Sequence, residues 1–482
     1  MEIINFIIEL IKLPAFVLGL IALIGLAVQR RPAGEILSGT IKTVLGLLII
    51  SVGIGALITA LIPIQTMFET GIPASGFETF VTFDEAVVSA VQNTNAGQVG
   101  AAIAWTLLFG YFIHILLARI TPFRYIYLTG HMIWIHAGAF AILFYSLGLP
   151  FWMVVVLASI VDGVYMTLMP ALAQPVMRKI TNTDEIAFGH GQTLLNMLGA
   201  WTGKLVGNPE DSAENIKLSD NFNFFRDVAI SISLVMLVVT LVAAILAVIQ
   251  VGIAQFQTEI SGGQNWLIFT MLQALGFTAG VLVMLQGVRM LIGEIVPAFK
   301  GIAERVIPGA KPALDVPVIF PFAPNSLIIG LISGTIGQVV GMVALALIRW
   351  PVPLPSMIAA FFASGAGAIF GNATGGRRGA WLGGFLWGFA GWFLISFAYK
   401  FQVFGDLGAL GATALGFTVP DAIVPGIVIW GIVKLLGPVG TSPAVVAVVV
   451  LVLVGLVLAA AYTLWQRSNQ RELVAETTSS AK

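Results

Sequence analysis

The sequence predicts an all-α polytopic membrane protein, and three observations carry that prediction. Hydrophobic residues make up 58% of the 482 and charged residues only 10%, against roughly 25% charged in soluble domains. Apolar runs near the roughly 20 residues that a helix needs to cross the hydrocarbon layer recur from end to end. Basic residues, finally, gather in alternate loops, as the positive-inside rule demands.

Taken in order, the runs are 12–28, 36–62, 96–118, 126–148, 151–172, 227–250, 266–293, 326–348, 355–372, 380–398 and 443–465, about eleven spans. They read as one membrane domain covering 1–482. Residues 1–11 resemble an amphipathic lead-in. Residues 64–92 and 401–438 are too polar or too interrupted by Gly and Pro for clear spans, and read as interfacial or half-helical. With the N-terminus outside, basic residues from Arg30 and Arg31 to Arg467, Arg471 and Lys482 fall in the inside loops, and only Arg349 and Lys400 in the outside ones. The odd number of crossings puts the C-terminus in the cytoplasm. The polar tail 467–482 reads as unstructured.

The longest inside segment, 173–225, splits in two. NPEDSAENIKLSDN (208–221) is a solvated loop. EIAFGHGQTLLNMLGAW (185–201) is semi-apolar and reads as re-entering the membrane. A second broken piece, Pro312 to Asn325, is too short and Pro-rich to span. Irregular backbone at membrane depth survives only inside protein or beside a wet cavity, so such breaks mark candidate sites. Two internal echoes accompany this plan. Gly46, Gly53 and Pro63 recur as Gly280, Gly287 and Pro297, 234 residues later, and RITPFRYIYLT (119–129) recurs as RVIPGAKPALD (305–315), 186 residues later. An odd number of spans per half would invert the halves, the inverted-repeat plan of many transporters.

Composition also excludes. Net charge is zero, so nothing suggests nucleic acid. Cysteine is absent, which removes disulfides, thiolate metal sites and a cysteine nucleophile. No HExxH, P-loop or dinucleotide fingerprint follows; no metal, cofactor or cleavable signal is expected. No nucleophile–base–orienter set supports a hydrolase.

The ionisable residues inside apolar segments carry the functional reading. His131 and His136 in TGHMIWIHAG lie about 140° apart around a helix, so at most one meets a ligand. His190, between Gly189 and Gly191 and followed by Gln192, sits where the backbone can approach a ligand closely; the alternative is a plain glycine-rich turn. Asp315 either accepts hydroxyl hydrogen bonds from a sugar-like molecule or pairs with Lys311. Asp162, mid-span, is either an ion-pair partner of Lys42 or Arg289 or a substrate or proton site. Gln286, Gln338 and Asn372 line a path or tie helices together.

LTGH (128–131), FGHGQ (188–192), QGVRMLIGEIVPAFKGIAERVIPGAKPALD (286–315) and FAPNSLIIGLISGTIGQ (322–338) resemble the ascorbate-specific EIIC transporters of the bacterial phosphotransferase system. GTIKTVLGLL (39–48) and ENIKL (214–218) fit too, and the resemblance spans roughly 36–345. It implies eleven transmembrane helices in two inverted repeats plus two re-entrant hairpins, with a V-shaped dimer domain and a core domain that holds the sugar. It implies a homodimer in the inner membrane. The substrate would be phosphorylated on entry by a phosphocysteine of a separate EIIB, recharged by EIIA. With no cysteine, no fused EIIB domain is expected, so the chain would be the translocation subunit of a multi-protein phosphotransferase.

Residue by residue, the implied ligand contacts fall on Thr82, Phe83, His131, Ile135, His190, Gly191 and Asp315, with His136, Gln192 and Asp162 as additional candidates and Asp315 and His190 as catalytic ones. Three positions depart from the family. Phe83 stands for a tyrosine, and Ile135 and Gly191 stand for glutamines. Each lost partner would cost about 1 kcal/mol if a ligand group went unpaired. The alternative function is a secondary transporter of the same fold without phosphorylation, in which Asp162 would be the proton site; a receptor without transport is a third.

Overall fold

Two helices far longer than a bilayer is thick cross at one side of the molecule. In a computed structural model describing residues 14–71, 78–94, 96–216, 228–305, 307–356, 358–412 and 414–480, α1 (Pro14–Val28) leads into α2 (Ala33–Gly71). At 39 residues α2 is roughly 58 Å long at 1.5 Å per residue. Its counterpart α9 (Trp266–Arg305) has 40. Each keeps a proline inside, Pro63 and Pro297, the pair matched by the 234-residue echo. They run antiparallel, Gly39 beside Glu294, Gly53 beside Met284 and Gly276 beside Ala60. A Cβ on Gly53 would come 2.4 Å from the Met284 nitrogen, so the crossing is backbone to backbone. Lys42 Nζ lies 3.1 Å from Glu294 Oε1. The fourth member of this scaffold, α8 (Val228–Glu259), breaks at Gly252, whose φ of 80° suits glycine. The lead-in expected over 1–11 lies outside the described residues.

The remaining elements form the core. After β1 (Thr79–Phe80) come α3 (Asp84–Thr94), a π turn (Ala96–Gly100), α4 (Ala101–Ile120), β2 (Tyr125–Tyr127), α5 (Gly130–Ser146) and α6 (Phe151–Thr181). Then β3 (Ala187–Phe188) precedes α7 (Thr193–Val206). Past the scaffold, β4 (Lys311–Leu314), a 3-10 segment (Val316–Phe322), α10 (Pro324–Leu347) and β5 (Val352–Pro353) follow. A π turn (Ala359–Ser364) runs into α11 (Gly365–Lys400), and α12 (Pro420–Leu435) and α13 (Pro443–Ser480) end the chain.

Within α11 the chain reverses at Gly376, where φ is 59° and ψ −150°, and the Arg377 N–H leaves the helix to donate to the Asp211 carbonyl (2.8 Å). Gly371 then faces Gly379, and Gly367 faces Gly383. These are the two arms of an antiparallel hairpin, near the runs 355–372 and 380–398. Glycine at every fourth position lets neighbours pack as closely as backbone allows. On the first arm, α7 runs alongside, with Gly199, Gly203 and Gly207 against Gly367, Gly371 and Gly375. Along the second, α10 packs with Gly334 against Gly388.

Among the described residues seven helices are long and apolar enough to cross a membrane, and the protein is an all-α, multi-pass membrane protein. Two expectations change. The tail 467–480 continues α13 as helix; its Gln, Arg, Glu, Leu and Ala are good helix formers and no Gly or Pro interrupts them. Five short strands also appear, all paired parallel: β1 with β5, and β2–β4–β3. At two to four residues each they are too short for an alternation signal. They pair the backbone where the helices are broken, as an apolar setting requires.

Candidate functional site

The three-stranded sheet positions the site. In its register Tyr125, Ile126 and Tyr127 lie beside Lys311, Pro312 and Ala313, the same 186-residue offset as the second echo. Beyond the strands the Leu128 N–H donates to the Ala313 carbonyl (3.0 Å) and the Gly189 N–H to the Leu314 carbonyl (2.8 Å). The chain then leaves the sheet three times at the same end. It delivers His131 after β2, His190 after β3 and Asp315 after β4.

These three side chains converge. His190 Nε2 is 3.6 Å from Asp315 Oδ1 and His131 Nδ1 is 3.9 Å from Asp315 Oδ2. The imidazole rings meet edge to face with centroids 5.9 Å apart. Asp315 Oδ1 also accepts the Val316 N–H (2.6 Å), which caps the 3-10 segment and fixes the carboxylate. Burial raises the Asp315 pKa and His131 partly offsets this. Burial lowers the His190 pKa, and His131 and His136 lower it further.

Thr82, Phe83, His131, His190, Gln192 and Asp315 line one cavity. Three buried polar atoms of its lining residues, Thr82 Oγ1, His190 Nδ1 and Gln192 Oε1, have no hydrogen-bond partner among the described residues. Buried polar atoms normally find partners, so this arrangement suits a ligand rich in hydroxyls. Phe83, Phe362 and Val419 add apolar walls.

Other candidates lie elsewhere. Ile135 is fully buried in the apolar core and does not line the cavity. His136 Nδ1 bonds the Met132 carbonyl (2.8 Å) and its ring stacks on Tyr165 with centroids 4.0 Å apart. Gly191 is there because a Cβ would strike His136 Cε1 at 2.5 Å; Gly189 is there because one would meet the Ala313 carbonyl oxygen at 2.6 Å. The two glycines therefore serve packing rather than ligand approach. Lys311 pairs with Asp184 at 2.6 Å, not with Asp315. Of the two readings open for Asp162, the ion pair is not formed: Lys42 is taken by Glu294, and Asp162 lies beside Gly110 of α4 with both oxygens unpartnered among the described residues. Gln338 exchanges two bonds with the Ser356 backbone, and Asn372 holds Ser212 and the Ala213 N–H, so both tie segments together. His114 accepts the Tyr127 N–H at Nε2 (3.0 Å) and faces Thr167 through Nδ1, pinning β2 to α4 and α6.

Four further carboxylates emerge only from the structure. Asp84 and Glu85 line the cavity, and Asp84 accepts both the N–H and hydroxyl of Thr418. Asp421 accepts the Thr193 and Leu194 N–H groups (2.9 and 2.8 Å) at the start of α7. Glu214 does the same for Asn325 and Ser326 at the start of α10. The helices after the His190 and Asp315 segments, α7 and α10, are thus each capped from a distant segment. The only available signal was an acid at a helix start, in FDEA and VPDA.

Residues 9–422 match the PTS system sugar-specific permease component family, EIIC-GAT. The chain is also 30% identical over 409 residues to the ascorbate-specific PTS system EIIC component of Mycoplasma pneumoniae. That alignment covers 75% of this chain and 61% of the relative, so the chain spans less than two thirds of that protein's length. With the match extending over most of its residues, the chain belongs to the PTS system sugar-specific permease component family.

Proposed function

We propose that the protein is the membrane-embedded EIIC subunit of a phosphotransferase-system transporter that takes up L-ascorbate or a related sugar-like substrate. The observation that carries this reading is the convergence of His131, His190 and Asp315 at one end of the sheet, beside buried polar atoms left unpartnered. Asp315 accepts a substrate hydroxyl, and His131 and Gln192 hold neighbouring oxygens. Phosphoryl transfer comes from the phosphocysteine of a separate EIIB, itself recharged by EIIA. The substrate oxygen bonds to phosphorus, the phosphorus–sulfur bond breaks with its electron pair left on the thiolate, and the hydroxyl proton passes to Asp315 or His190. The protomer works as a homodimer in the bacterial inner membrane, N-terminus outside and C-terminus in the cytoplasm, an orientation that the basic loops favour. Asp162, on which the uncoupled-transporter reading depends, lies outside the cavity lining.

The test is uptake of labelled ascorbate in cells with and without EIIB. Phosphorylated product is expected only with EIIB present, and Asp315→Asn is expected to weaken binding to purified protein roughly tenfold, the scale of one charge-assisted hydrogen bond. Undiminished accumulation of unmodified substrate without EIIB would overturn the phosphorylation step. Unchanged binding by the variant would remove Asp315 from the site.

A further inference from the structure

Away from the substrate cavity, a crevice of about 1040 Å³ opens between the end of α4, the later half of α6, the starts of β2 and β4, and α13. Its lining is two-faced. Arg119, Arg124, Arg178 and Lys311 supply four cations and no acid lines it. Much of the remaining lining is an apolar wall, with Leu168 and Leu172 of α6 and Ala461 and Leu464 of α13. Asp184, just outside, holds Arg178 and Lys311 at 2.8 and 2.6 Å, so one acid offsets part of the charge. Arg119 and Arg124 are exposed, and Arg119 has no polar partner among the described residues.

Two further features fix the depth and chemistry of this crevice. Tyr462 and Trp465 stack with centroids 5.7 Å apart at its rim. Tyr and Trp gather at the headgroup level of a bilayer. The apolar span of α13 is only 11% buried within the chain, so that wall faces lipid. A basic pocket between helices at this level, backed by a hydrocarbon-facing groove, matches an amphiphile with one anionic head.

We infer that the crevice binds an anionic phospholipid, its phosphodiester held by Arg119 and Arg124 with Lys311 behind them, and its acyl chains along Leu168, Leu172 and Leu464. A soluble phosphorylated protein would leave the apolar wall bare, and a free phosphate would have no use for it. The site also touches the substrate machinery through the backbone. Tyr125 and Lys311, in its wall, begin the strands that deliver His131 and Asp315.

Full-length protein in nanodiscs of phosphatidylglycerol, phosphatidylcholine or a mixture tests this by native mass spectrometry of retained lipid. Preferential retention of phosphatidylglycerol is expected. Each of Arg119→Gln and Arg124→Gln should lower the preference by about fivefold, the worth of one basic residue near an anionic surface. Arg119→Lys should preserve it, a readout that a merely structural role would not show. A461W should reduce retention of both lipids by filling the groove. Equal retention of the two lipids by the unmodified chain, or full preference in the double Gln variant, would overturn the inference. Equally tight binding of soluble glycerophosphoglycerol would make it a site for a free anion instead. Loss of EIIB binding in the Gln variants without any change in retained lipid would make it a protein-docking surface.

Discussion

Asp421 never reaches the cavity wall, yet the His190 loop depends on it. Its two oxygens accept the first N–H groups of α7, which have no partner within the helix. Asp421→Ala should cost about 1–2 kcal/mol of stability, the range for a lost helix cap, read as a lower melting temperature. It should also weaken substrate binding, because α7 starts three residues after His190. Asp421→Asn keeps an acceptor and should do less on both counts. Equal losses from Ala and Asn would mean that the charge, not the cap, matters. Asp184 offers a pH test. Partial burial pushes its pKa up, but hydrogen bonds from Lys311, Gln174 and Arg178 outweigh burial and bring it from 3.8 down to about 2. A depressed carboxylate stabilises the fold above its unfolded pKa, and that contribution disappears as pH falls through the window from 3.8 to about 2. Asp184→Asn should flatten the melting temperature across that window, modestly, because the pair is half exposed. An unchanged slope would show that Asp184 does not hold β4 to the end of α6. At this scale the sequence exposed His131, His190 and Asp315, because ionisable residues in glycine- and proline-broken apolar stretches are conspicuous. It did not expose Asp84, Glu214 or Asp421. Glu214 caps a helix 111 residues away and Asp421 one 228 away, and spacing along one chain carries no trace of such pairs.

The elements show where periodicity works and where it fails. Long apolar runs yield helices because length alone decides them. The strands escape because two to four residues hold no period, although the 186-residue echo states the register of β2 against β4. The hairpin in α11 is intermediate: its arms were legible as separate apolar runs, while the role of Gly371 and Gly203 needed the packing. A Cβ on Gly371 would lie 2.1 Å from the Gly379 carbonyl oxygen, and one on Gly203 2.7 Å from the Gly371 carbonyl oxygen. Neither neighbour can rotate away, since both contacts are backbone. Gly371→Ala should therefore cost about 1–3 kcal/mol, the usual cost of overpacking. Gly55 of α2, with nothing within 4 Å of its Cβ position, is the control. Gly55→Ala should be neutral or mildly stabilising. Equal melting temperatures for the two variants would mean that the hairpin arms can separate without cost.

At the scale of the whole molecule, α1, α2, α8 and α9 form one body and the elements around the sheet another. The 234-residue echo belongs to the first body, where α2 and α9 cross about equivalent points, as two inverted copies would. The residues proposed to hold the substrate belong to the second. The bodies meet through aromatic packing: Phe277 of α9 lies against Phe361, which in turn packs on Phe320 of the 3-10 segment following Asp315. Apolar contacts of this kind slide more readily than a hydrogen-bonded seam, and the core can carry a bound substrate past the scaffold if this interface yields. Because the chain has no cysteine, a Phe277→Cys/Phe361→Cys pair would be its only thiols. A thiol-specific cross-linker joining them should leave ascorbate binding intact and abolish uptake, with each single variant as a control for the lost ring. If uptake survives complete cross-linking, the two bodies do not move against each other at this contact, and access to His131, His190 and Asp315 must open by local movement of the segments that line the cavity.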